Sequence, residues 1–182
     1  RYVAGGRLEP YAAPEKFQTH HQPFLYFEKF APGAPGRAHL QDEADLLEAA
    51  REGTLPAVSF YKPIGKHSGH PTQGEFEASD AHIGEIVDAL RASPNWSDMF
   101  IIIAADENGG YWDHVAPPKV DRFGPGARVP AVFISPFVRK GFIDHTIYDT
   151  TSILRTIETR FGVPPLTNRD AAAADLRNAL EP

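Results

Sequence analysis

Cysteine is absent from this 182-residue chain, which excludes disulfides, thiolate nucleophiles and cysteine-ligated metals. The absence fits an oxidising or a reducing compartment equally. Long apolar runs are missing too: the longest, residues 100–105, is far too short to span a bilayer. Residues 1–6 lack the charged start and apolar stretch of a signal peptide, which leaves open a leader further upstream. No basic cluster is present. The 18 Lys and Arg are scattered among 24 Asp and Glu, for a net charge of −6, and this argues against nonspecific nucleic-acid binding. Internal repeats and low-complexity segments are also lacking. What remains, 42% hydrophobic and 23% charged residues, matches a soluble globular domain long enough to bury a core.

The first forty residues are irregular, because Pro10, Pro14, Pro23, Pro32 and Pro35 recur with Gly33 and Gly36 and break any long helix. Within them, Phe24-Leu25-Tyr26-Phe27 fits a short strand or a buried aromatic segment. From residue 41 to 182, helices and strands are expected to alternate. Residues 41–52 predict a helix with acids in its first turn and Gly53 as its stop. Residues 56–60 (PAVSF) predict a short buried strand. Ile83, Ile86, Val87 and Leu90 recur at helical spacing, predicting a helix over about residues 80–92. Residues 100–105 (FIIIAA) predict a strand apolar on both faces and therefore central, and residues 129–135 another. Two last helices are expected, one capped by Asp149 and ended by Gly162 and Pro164, one capped by Asp170 and running through Leu176 and Leu180. The pattern gives an α/β fold with a mainly parallel sheet flanked by helices.

Four segments carry residues suited to chemistry. Asp106-Glu107-Asn108-Gly109-Gly110 follows the apolar strand directly, and open α/β sheets bind ligands beyond the carboxyl ends of their strands. Adjacent acids there are costly without a positive partner, and a divalent cation suits hard carboxylate oxygens. Such a cation would also let an acidic protein accept a small phosphorylated substrate. The bland alternative is a solvated acidic loop. Lys66-His67-Ser68-Gly69-His70-Pro71 places two histidines in a loop shaped by glycine and proline, suited to a phosphoryl oxygen or, less specifically, a metal. Thr19-His20-His21-Gln22-Pro23-Phe24 carries adjacent histidines that are either functional or simply exposed. Tyr111-Trp112-Asp113-His114-Val115 lies just behind the acids; His114 is a ligand, a phosphate contact or a structural histidine, the last being favoured. His39, His82 and His145 have no partner motif and read as structural or surface residues.

Taken together, these segments resemble the phosphoesterase family that contains bacterial acid phosphatases of the AcpA type and bacterial phospholipases C. The likeness runs from His20-His21-Gln22-Pro23-Phe24 through Phe60-Tyr61-Lys62-Pro63 and His70-Pro71 to the most specific stretch, residues 106–115 (DENGGYWDHV). It ends with Arg128-Val129-Pro130 and residues 148–155 (YDTTSILR). The resemblance implies an alkaline-phosphatase-like fold, incomplete in this chain, and hydrolysis of phosphate esters at a centre holding a divalent metal of unspecified identity. It implies Asp106 and Glu107 as metal ligands, and His70 with His20 or His21 as contacts to phosphoryl oxygens, without distinguishing between the adjacent pair. Asn108 and His114 are possible additions.

The family's early Glu-Asn-Arg-Ser-Phe-Asp motif and its Ser or Thr nucleophile have no counterpart here. Residues 1–182 are therefore expected to be the C-terminal portion of a single phosphoesterase domain, partnered by an N-terminal portion of the same protein. The first expectation for that whole protein is an acid phosphatase acting on phosphate esters, favoured at acid pH if a histidine works protonated. A phospholipase C acting on phospholipid head groups is the alternative. A non-catalytic structural piece is the competitor from another class, and a sulfatase-type relative a further one. Periplasmic or secreted localisation is implied by the resemblance alone.

Overall fold

The computed structural model describes residues 17–180, so Pro10 and Pro14 lie outside the described residues. The chain divides into two compact units, Arg1–Ser97 and Asp98–Pro182.

In the first unit, proline dictates the local form. Residues 19–39 make a succession of 3-10 turns, Thr19–His21, Pro23–Tyr26, Glu28–Phe30 and Pro35–His39, two of them opened by proline at the first helical position. Phe24 to Phe27 thus form a turn rather than a strand, with Phe24, Tyr26 and Phe27 exposed. Helix α1 spans Glu43–Glu52. Its start is fixed by a capping box, in which the Asp42 amide donates to the Asp45 carboxylate at 2.9 Å. Its end is fixed by Gly53, which adopts φ 70° with the Pro94 side chain so close that an added Cβ would sit 3.0 Å away.

Helix α2 spans Phe76–Arg91 and begins earlier than its apolar spacing predicts. Its buried face also differs. Ser79, His82 and Ile86 point inward, whereas Ile83 is 37% exposed. The reason is polar satisfaction: Tyr61 Oη lies 2.6 Å from His82 Nε2 and donates to Glu43 Oε2 at 2.6 Å, so a histidine is buried without loss. Residues 56–60 are not a strand. No described strand pairs with them, and Phe60 is 74% exposed.

The second unit holds the sheet. Strands β1 (Ile101–Ala104) and β2 (Ala131–Ile134) pair antiparallel, with Ile101 opposite Ile134 and Ala104 opposite Ala131. The expected mainly parallel sheet with β1 at its centre is not seen among the described residues, where the sheet has two strands. Parallel pairing needs a long crossover, usually helical, and the connection here contains no helix. It folds back instead, and Arg128, three residues before β2, is bound to Asp113, nine residues after β1, at 2.8 Å. Helices with a small sheet keep the chain α/β in the broad sense. Phe100 packs edge-on to Phe133 at 5.7 Å, and Phe133 to Tyr148 at 6.3 Å.

Helix α3 spans Thr150–Phe161, with the Asp149 carboxylate accepting from the Thr151 amide at 2.7 Å and Gly162 closing it at φ 66°. The last expected helix breaks in two. Helix α4 (Asn168–Ala172) is capped by Thr167, and Asp170 is the reciprocal third-position partner rather than the cap. A 3-10 turn, Leu176–Ala179, follows with its own cap at Asp175. Leu176, Ala179 and Val138 form the buried apolar cluster here.

Beside them, Glu158 of α3 is only 2% exposed and stands 3.6 Å from Arg155. Burial, and then the neighbouring Asp170, push the Glu158 carboxyl up from 4.5, while Arg155 opposes them. Asp170 is held down to about 2 by the Thr167 hydroxyl first and then, against burial, by the Leu166 amide. A raised carboxyl favours the fold when protonated, and that advantage is lost as pH climbs from its ordinary value through its folded one. Glu158→Gln, neutral at every pH, is therefore expected to melt above the wild type at about pH 8 and to lose this margin near about pH 4. Thermal unfolding followed by circular dichroism at the two pH values checks this; equal melting at the higher pH would contradict it.

Candidate functional site

The acidic loop begins where β1 ends. Ala105 still donates to the Pro130 carbonyl at 3.3 Å, and Asp106 and Glu107 then emerge exposed. The loop is shaped from within. Gly109 donates its amide to Glu107 Oε2 at 2.6 Å, so this carboxylate braces its own loop. Asn108 Nδ2 donates to the Tyr111 carbonyl at 2.7 Å, so Asn108 acts on the loop's shape. Gly109 and Gly110, at φ 65° and 79°, allow the turn that a side chain would strain.

Asp113 holds the far end. It accepts from Arg128 Nη2 at 2.8 Å, Arg128 Nε at 2.9 Å and the Arg128 and Val115 amides at 3.1 Å each. The Arg128 guanidinium foremost, then the Val115 amide, keep the Asp113 carboxyl well below the usual carboxylate range. Neither residue draws attention in the sequence beyond its place in a motif, because the pair is fifteen residues apart. His114 is exposed, 3.8 Å from Asp113 and 6.2 Å from the Trp112 ring. Trp112 itself is 85% exposed.

The donor set fits a hard divalent cation in kind, two carboxylates on a glycine-shaped loop, but not in number. Among the described residues, no group of three or more His, Asp or Glu side chains is arranged to hold a metal.

The histidines of the two loop motifs, His20, His21, His67 and His70, lie in the first unit, and the acidic pair lies in the second. Gln18 Nε2 donates to Gln73 Oε1 at 3.2 Å, which ties the Thr19–His21 turn to the loop that carries His70. The His20 and His21 rings meet edge-on at 4.7 Å, with His20 the more exposed. The Lys66–Pro71 pair separates by environment. His67 stacks on His82 at 4.3 Å, and burial, then the His82 and Lys66 charges, lower it from 6.5 against Glu43 and Glu85. That is a structural histidine. His70 is exposed at the loop's tip, with its Nδ1 3.0 Å from Thr72 Oγ1. The loop beneath is fastened by Gly69 donating to buried Ser79 Oγ at 2.8 Å. Gly74 lets it close, since a Cβ there would sit 2.2 Å from the Lys66 carbonyl. His82 is structural as expected, and His39 and His145 are exposed.

Comparison with known proteins identifies the family. The model of the "Phosphoesterase family" matches residues 9–164. The non-hemolytic phospholipase C of Pseudomonas aeruginosa is 30% identical over 87% of this chain and 29% of its own length. The phospholipase C B of Mycobacterium tuberculosis is 35% identical over 75% of this chain and 31% of its own. In Arabidopsis thaliana, non-specific phospholipase C6 is 30% identical over 77% of this chain and 33% of its own. The chain thus spans about a third of the length of these curated relatives. No described helix is long and apolar enough to cross a membrane. The chain belongs to the phosphoesterase family.

Proposed function

We propose that the protein containing this chain hydrolyses phosphate esters with the help of a divalent cation, Asp106 and Glu107 holding that cation. The observation that carries the reading is the pair of exposed carboxylates leaving the end of β1, in a family-matching chain, on a loop fixed at its far end by Asp113 and Arg128. A bound cation would neutralise phosphoryl charge and activate the attacking oxygen. Everything else falls to side chains. Asp106 and Glu107 Oε1 supply hard oxygen donors, while the Gly109 amide restrains Glu107 Oε2. His70, with His20 or His21, donates to phosphoryl oxygens as charge accumulates on them. In this reading the nucleophile and remaining ligands come from an N-terminal portion of the same protein. Export to the periplasm or beyond the cell also belongs to it and rests on the resemblance.

Sequence motifs alone put a phosphomonoester first. The relatives named above are phospholipases C, and exposed Tyr111 and Trp112 flank the acidic loop with apolar surface suited to a lipid. A phospholipid head group therefore becomes the favoured substrate and a soluble phosphomonoester the second. The test is to assay the whole protein on phosphatidylcholine in mixed micelles and on p-nitrophenyl phosphate. Faster turnover of the lipid supports the first reading and faster turnover of the monoester the second. Hydrolysis of neither would overturn the proposal.

A further inference from the structure

We infer that Thr72 is a positioning residue for His70, fixing the imidazole in the tautomer that carries its proton on Nε2. The inference deepens the proposed phosphoryl-binding role of His70 and rests on it for its functional consequence. Two contacts carry it. The Thr72 backbone amide donates to His70 Nδ1 at 3.3 Å, and Thr72 Oγ1 lies 3.0 Å from the same nitrogen. A backbone N–H can only donate, so Nδ1 must offer its lone pair. A neutral imidazole with its lone pair on Nδ1 has its hydrogen on Nε2. With Nδ1 engaged by Thr72, Nε2–H is the edge left for a ligand, and it is a donor. A donor is what a phosphoryl oxygen requires.

The loop is built to keep this geometry. Pro71, between the two residues, fixes its own φ, and the His70 carbonyl accepts from the Gln73 amide at 2.9 Å, closing a turn around the contact. Ser68 Oγ accepts from the His70 amide at 3.3 Å and donates to the Gly65 carbonyl at 3.0 Å. The Gly69 bond to Ser79 and the close passage of Gly74 over Lys66 fasten both sides. His70 therefore sits on an exposed loop whose base is held, and Thr72 sets which ring nitrogen does what.

Two experiments test this, one without activity. In the whole protein labelled with 15N-histidine, long-range 1H–15N correlation at neutral pH is expected to show His70 Nε2 protonated and Nδ1 bare. A protonated Nδ1 in the neutral ring would overturn the assignment whatever the enzyme does. In the whole protein, Thr72→Val removes the hydroxyl from an exposed position and is expected to lower kcat on a phosphate ester about tenfold with little change in KM, while Thr72→Ser keeps most of the rate. The valine variant keeps the backbone amide, so a wild-type rate there would sink the hydroxyl's part in positioning. Failure of the wild type on every phosphate ester would instead sink the functional reading, and the tautomer measurement would still judge Thr72.

Discussion

Asp106→Asn is expected to cost the whole protein about three orders of magnitude or more in kcat for phosphate-ester hydrolysis. Asparagine changes the charge more than the shape. It keeps the volume of aspartate and replaces a charged, hard oxygen donor by a neutral amide, so a cation loses both a ligand and half the charge this loop provides. Because Asp106 is exposed at the end of β1, the substitution leaves the Ile101–Ile134 to Ala104–Ala131 register untouched. Loss of rate with unchanged circular dichroism is thus the expected pairing. Glu107→Gln is expected to hurt less. Its side-chain oxygen can still accept the Gly109 amide, now at 2.6 Å from Oε2, so the loop keeps its shape while the charge is lost. Steady-state kinetics of the two variants side by side provides the check. A fully active Asp106→Asn would remove the acidic pair from the chemistry.

Asp113→Ala is expected to lower kcat of the whole protein by about ten- to a hundredfold, although the proposed mechanism gives Asp113 no contact with substrate. Its carboxylate gathers four N–H groups, two from the Arg128 side chain and the Arg128 and Val115 amides. Removing it leaves those donors unpaired and frees the segment that carries Asp106 and Glu107 from the start of β2. Arg128→Lys should reproduce part of the loss, since an ammonium cannot make the two parallel bonds of the guanidinium. The double variant should be no worse than Asp113→Ala, because both changes break one connection, and a double-mutant cycle reads this directly. Additive losses would show that the pair does not act as a unit.

The same bridge bears on pH. Asp113 is held ionised by Arg128 to well below the ordinary carboxylate value of 3.8. A lowered carboxyl stabilises the fold above its ordinary value and gives this up only as pH falls through its lowered value. The loop anchor therefore persists throughout the range in which histidines titrate. Acid dependence of turnover, if measured, belongs to groups other than Asp113.

Much of the local structure is legible in the sequence because it is decided locally. Gly53 and Gly162 end α1 and α3 where their left-handed backbone demands glycine, and Asp149 caps α3 through the Thr151 amide. The place of the acidic loop is legible for a related reason. Acids and paired glycines directly after an apolar strand form one short contiguous signal.

What the sequence hides is decided by distant partners. Alternating helices and strands suggest parallel crossovers, but β2 returns antiparallel to β1 through a helix-free connection, and the Asp113–Arg128 bridge across it joins residues fifteen apart. The buried face of α2 turns toward His82 rather than Ile83 because Tyr61 and Glu43, from elsewhere in the chain, satisfy the imidazole. Residues 56–60 carry strand-forming composition, yet composition cannot supply a neighbouring strand. Thr167 caps α4 in place of Asp170 because both belong to one capping box, which sequence alone can read in either register. Thr72 escapes notice for a simpler reason: a threonine two residues past a histidine has no signature until its amide and hydroxyl are seen on Nδ1.

The most direct measurement is the turnover of a phosphate ester by the whole protein after chelation of metal and again after adding back single divalent cations. Activity is expected to disappear with the metal and to return with one or more of these cations in the wild type, and none is expected to restore it in Asp106→Asn. Activity that survives complete removal of metal would contradict the central claim that Asp106 and Glu107 serve this chemistry by holding a cation.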